Sequence, residues 1–165
     1  MVTINPKRIA KHLICGGALK RSFPAATLAA IEEAINASEK LHSGEIRCVI
    51  EASLDMGPLL KNQSAPARAL ELFSTLGIWD TKHNNGVLIY LLLADHAVEI
   101  VVDRGVTIST EALNSICLTM QSQFTQHNFA AGIIQGINAI SVHLIRNFPA
   151  KDNGANEIPD NPILL

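Results

Sequence analysis

Between Leu76 and Gly105 the sequence reads LGIWDTKHNNGVLIYLLLADHAVEIVVDRG, a pattern that leaves few folds open. A polar loop from Asp80 to Asn85 leads into an apolar run, Val87 to Ala94. Asp95 and His96 break it, and a second run closes at Val102. Because every residue from Val87 to Leu93 is apolar or aromatic, both faces of this segment require cover, which predicts a central strand. The second run alternates, with Val98, Ile100 and Val102 on one side and Glu99, Val101 and Asp103 on the other. That is the pattern of a strand nearer an edge, returning antiparallel after a tight turn. Asn85, Gly86 and Gly105 are expected to carry the bends at the open end of this hairpin, since each tolerates positive φ.

Upstream, the period is again 2 after Gly44. Ile46, Cys48, Ile50 and Ala52 fall on one side, and Glu45, Arg47, Val49 and Glu51 on the other. Three charges on one face of a strand imply either an edge strand or a polar face lining a site. LDMGPLLKNQ reads as a loop. Ser64 then caps a helix with Pro66 in its first turn, Ala67, Leu70, Phe73 and Leu76 as its buried stripe, and Gly77 at its end. Strand, helix and central strand make a right-handed β-α-β unit with parallel strands. The hairpin adds an antiparallel third strand, so the sheet is mixed.

The flanks are helical. Pro6 to Leu13 predicts a short basic helix with Ile9 and Leu13 on one face, ended at Gly16 and Gly17. A helix capped by Ser22 carries Leu28, Ile31, Ile35, Ser38 and Leu41, with Glu32, Glu33, Glu39 and Lys40 on its solvated side. Ser109 or Thr110 caps another, whose inner face is Leu113, Ile116, Cys117 and Met120. The last runs from about Asn128 to Asn147 with an isoleucine-rich stripe, and Gly132 and Gly136 allow a neighbouring backbone to approach closely. KDNGANEIPDNPILL is expected to be a disordered tail. The domain division is therefore a basic N-terminal helical segment, 1–21, a folded domain, 22–149, and a tail, 150–165.

At 165 residues and 48% hydrophobic content, this is enough chain for one self-sufficient core. Three separated cysteines suggest neither a disulfide framework nor a zinc knuckle, and they fit a reduced cytoplasm. The formal net charge of -2 argues against a nucleic-acid binder. No run reaches the ~20 apolar residues of a membrane span. The charge is uneven, however. Lys7, Arg8, Lys11, Lys20 and Arg21 face no acid in the first 21 residues. This segment is either a helix docked on an acidic body or one that touches an anionic surface, where each base contributes about 1 kcal/mol.

The order of strand, A-x-x-LF helix, LGIW, NNGVLIYLLL, charged turn, VEIVVDRG and F-x-x-G-I-x-x-G-I-x-x-I resembles the TPM domain family over about Leu41 to Pro149. The resemblance implies a three-layer α/β/α sandwich, in agreement with the periodicities. Some members are associated with acid phosphatase activity and calcium binding. Asp80, Asp103 and Arg104 stand where the family often has glycine.

Parallel first and second strands with an antiparallel third bring Glu45, Trp79, Asp80, His83, Asn84, Asn85, Asp103 and Arg104 to one end of the sheet. Ser53, Asp55, Asp95 and His96 go to the other. In the first group Asp80, Asp103 and Glu45 are candidate ligands for calcium or another divalent cation. Asn85 and Arg104 are candidates for holding a ligand, Arg104 through a phosphate oxygen. Equally, these are ordinary loop residues that bond local backbone, with Asp80 capping a turn and Asp103 paired to Arg104 or Arg47. Trp79 is expected to anchor packing at a helix end. Two functions follow: a non-catalytic interaction or maintenance protein serving an unknown, membrane-associated protein partner, or a divalent-cation-dependent acid phosphatase-like hydrolase.

Overall fold

The computed structural model describes residues 5–15, 17–150 and 156–165. Gly16 and residues 151–155 of the expected tail lie outside the described residues. The strands are β1 (Glu45–Glu51), β2 (Gly86–Leu92), β3 (Ala97–Val102) and β4 (Ile163–Leu164). They form one mixed sheet in the order β3-β2-β1-β4, with β2 parallel to β1 and antiparallel to β3, and β4 parallel to β1.

β2 is buried at every position, as its unbroken apolar run requires. The register sorts side chains into two cores. On one face Ile46, Cys48 and Ile50 align with Val87, Ile89 and Leu91, and these with Val102, Ile100 and Val98. Three helices cover this face: α3 (Ala25–Glu39), α6 (Thr110–Phe124) and α7 (Phe129–Asn147). On the other face Val49, Leu88, Tyr90 and Leu92 pack against α4 (Met56–Leu60), α5 (Ala65–Thr75), Ile78 and Ile158. α1 (Pro6–Cys15) and α2 (Ala18–Ser22) precede this body.

α7 is long and apolar enough to cross a membrane by composition. It serves here as a core helix, with Ile133, Ile137, Ile140 and Leu144 fully buried. Gly132 and Gly136 do allow close helix packing, since a Cβ at either would collide with Phe124 or Met120 of α6.

Several expectations are corrected. β1 is not an edge strand: β2 flanks one side and β4 covers Val49 and Ile50 on the other. The tail is ordered over 156–165, because Ile158 enters the second core and Ile163–Leu164 supply the fourth strand. Ser22 ends α2 rather than capping α3, whose first turn follows Pro24. LDMGPLLKNQ contains the short helix α4.

The stripe of α5 is rotated: Ala65, Ala69 and Leu72 face the sheet, while Leu70 is 60% exposed. Its orientation follows Arg68, which reaches Glu51 through bonds of 3.0 and 2.8 Å. The bends also differ. Positive φ falls on Asn84 and His96, not on Asn85, Gly86 or Gly105. Gly86 is needed for closeness instead, since a Cβ there would strike the Ile78 carbonyl.

Candidate functional site

At the end of the sheet where β1 and β2 begin, Glu45 and Gly86 are register partners, and the Asp103 amide donates to the Gly86 carbonyl at 2.9 Å. Glu45 and Asp103 therefore flank the same glycine from opposite neighbouring strands, roughly 10 Å apart along two inter-strand spacings. The Ile78 carbonyl packs closely onto that glycine. Each acid also turns to its own partner. Glu45 Oε2 accepts from the Ile158 amide at 3.1 Å, and Asp103 Oδ1 accepts from the Arg104 amide at 2.7 Å.

Asp80 is exposed on the loop. Among the described residues no three His, Cys, Asp or Glu side chains lie close enough to hold a metal ion, so Glu45, Asp80 and Asp103 share one end of the sheet without forming a common ligand set. Arg104 Nε donates to Asn84 Oδ1 at 3.0 Å. Asn85 is fully buried; its amide donates to Thr81 Oγ1 at 3.0 Å and its side-chain nitrogen donates to the Ser43 carbonyl. Two oxygens there are buried and lack a hydrogen-bond partner among the described residues, Asn85 Oδ1 and Asp103 Oδ2. Trp79 meets the end of α5 by a hydrogen bond rather than by burial. It is 53% exposed and its Nε1 donates to the Ser74 carbonyl at 3.2 Å.

The ordered C-terminal segment brings further acids to Glu45. Asp160 accepts from Asn156 at 2.6 Å and from Asn36 at 3.2 Å, and Glu157 accepts from the Lys82 amide at 3.1 Å. Glu39 Oε1 accepts from the Ile46 amide at 2.8 Å. Burial pushes the Glu39 carboxyl up to about 8 against that bond, with help from the charges of Glu45 and Asp160. Burial also raises Glu45. Sequence reasoning missed this cluster because Glu39 fell on the solvated side of its helix and Asp160 in the tail. The signal available was the apolar end of NPILL, too short a run to predict a strand by itself.

The charged face of β1 is otherwise spent on structure. Glu51 receives both Arg68 nitrogens and the Tyr90 hydroxyl, the latter at 2.6 Å, which satisfies a phenol inside the apolar β2 run. Arg47 Nη1 donates to the carbonyls of Pro159 and Asn161. At the opposite end of the sheet Asp95 binds α1. Arg8 donates to it through Nε at 3.0 Å and Nη2 at 2.7 Å, and His12 Nε2 lies 3.1 Å away. Burial alone would raise Asp95, but the bonds from Arg8 and His12 outweigh it and hold its carboxyl below the usual range. The Leu54 amide donates to His12 Nδ1 at 2.9 Å, so the bond to Asp95 uses the Nε2–H of a neutral imidazole.

Fold and site together define a three-layer α/β/α domain with a mixed sheet whose polar ends are tied down by loops and by the C-terminal segment. The TPM domain profile matches residues 20–142, and the chain belongs to the TPM domain family. Among solved structures it is similar to the BA42 protein of the psychrophilic bacterium Bizionia argentinensis, at 32% identity and a TM-score of 0.74, covering 85% of this chain and 93% of that one. The N-terminal domain of a protein from P. gingivalis shares the fold at 18% identity and a TM-score of 0.63, covering 90% and 94%. No curated protein matches.

Proposed function

We propose that this TPM domain is a non-catalytic interaction or maintenance protein that works in the cytoplasm on a protein partner held at a membrane. The observation that carries this reading is how the polar end of the sheet is used. Glu45 and Asp103 each accept a hydrogen bond from a backbone amide, while Asn85 ties the second strand to the segment before the first. Groups committed to backbone are poorly placed to bind and release a substrate. The test is phosphomonoester hydrolysis by the purified protein in calcium, magnesium and manganese. No turnover above the buffer rate is expected. Turnover lost in Asp80→Asn or Asp103→Asn would overturn the reading.

A second reading, a divalent-cation-dependent hydrolase with Arg104 as phosphate clamp, is favoured by one observation. Asn85 Oδ1 and Asp103 Oδ2 are buried acceptors without a partner among the described residues, and oxygen ligands of this kind suit calcium. Trp79, half-exposed beside Asp80, reports on it. Under this reading calcium at ~100 Kd raises folded-state stability by about 2.7 kcal/mol with a saturable fluorescence change, and Asp103→Asn abolishes both.

A further inference from the structure

α1 is an amphipathic helix docked the wrong way round. A surface helix ordinarily buries its apolar stripe and exposes its charges. Here Arg8 and His12 face the body, where Asp95, the Gln63 carbonyl and the Leu54 amide bind them, and His12 is 2% exposed. Leu13 is 70% and Ile14 82% exposed, on the outward side with Ala10. Lys7 and Lys11 border that side, and Lys20 and Arg21 of α2, next in the chain, are also exposed. The first acid in the chain is Glu32, and among the described residues Lys7, Lys11, Lys20 and Arg21 form no ion pair.

We propose that the outward face of α1, Leu13 and Ile14 flanked by Lys7 and Lys11, docks this protein onto an anionic lipid bilayer. Charge selects the occupant. Lysine stems can lie along the apolar side chains while their ammonium groups reach phosphate headgroups, which is the interfacial arrangement of a basic amphipathic helix. A groove in a protein would call for several turns of apolar side chains, whereas α1 offers one adjacent pair. The bonds from Arg8 and His12 to the body hold this pair outward, so docking needs no unfolding of the helix. The inference supplies the membrane-associated half of the reading above and rests on it, but the two fail separately: phosphatase turnover would overturn the first alone, and the vesicle experiment decides the second alone.

The experiment is sedimentation of the full chain with phosphatidylcholine vesicles, with and without phosphatidylglycerol, at low and moderate salt. Binding is expected only with phosphatidylglycerol and should weaken as salt rises. Leu13→Glu with Ile14→Glu should reduce it roughly tenfold or more, because burying either side chain is worth at least that factor. Lys7→Gln with Lys11→Gln should also weaken it while leaving the apolar pair intact. All four side chains are exposed, so circular dichroism should match the parent. Four outcomes overturn the proposal: no binding to anionic vesicles, equal binding to neutral ones, indifference to the Leu13/Ile14 exchange, or a self-associated chain that this exchange converts to monomer.

Discussion

Glu39 shows how far a side chain can be from its helical-wheel role. On the wheel it belongs with Glu32 and Glu33 in solvent. In the fold it is half-buried, bonded to the Ile46 amide of β1 and close to two other acids. A carboxyl whose pKa rises from 4.5 to about 8 on folding binds its proton more tightly in the folded state. Its contribution to stability is complete below its unfolded pKa and is lost as pH climbs toward about 8. One proton sets a ceiling of about 1.4 kcal/mol per pH unit, and partial exposure keeps the slope below that ceiling. Glu39→Gln should flatten this fall, measured by denaturant unfolding across the window. Burial lowers the pKa of His42, which gives a rise with pH common to both proteins.

Among the elements, those with the strongest one-dimensional signal were legible. The continuous run of β2, the alternation of β3 and the caps at Ser64 and Ser109 all appear where residue type alone places them. α5 was found, but its buried stripe was displaced, because alanine carries little hydrophobic signal and yet Ala65 and Ala69 are the residues small enough to lie against the sheet. The Arg68–Glu51 pair that fixes the rotation joins two elements and is invisible to periodicity within either one. Leu72→Ala should therefore cost about 2–5 kcal/mol, whereas Leu70→Ala should stay within about 0.5 kcal/mol; chemical denaturation of the two variants distinguishes the observed orientation from the expected one. β1 lies inside the sheet rather than at its edge for a related reason. Its charges suggested an edge, but they are met by α5 and by residues 158–161, which only the tertiary fold brings near.

For the whole molecule, the architecture and the two groups of polar residues at the sheet ends followed from chain order and strand direction. What did not follow was how each end is closed. One end is closed by α1 through Asp95, the other by the segment 156–165 through Glu45 and the Glu39–Asp160 neighbourhood. Both closures use polar contacts between residues far apart in sequence, on segments whose composition resembles a basic tail and a disordered tail. Glu45 and Asp103 likewise fall at the end of the sheet where chain order puts them.

The fourth strand joins Val49 to Ile163 and Ile50 to Leu164, across most of the length of the chain, whereas β2 and β3 are joined by a short turn. Loop closure of that span is costly before any native contact offsets it, so the hairpin is expected to assemble early and the C-terminal segment to seal the sheet last. The rate constants should show this order. Ile158→Ala should accelerate unfolding and leave refolding nearly unchanged, while Ile89→Val in the hairpin should slow refolding, both read from stopped-flow chevrons. The short strand then sets how long the folded state lasts more than how quickly it forms.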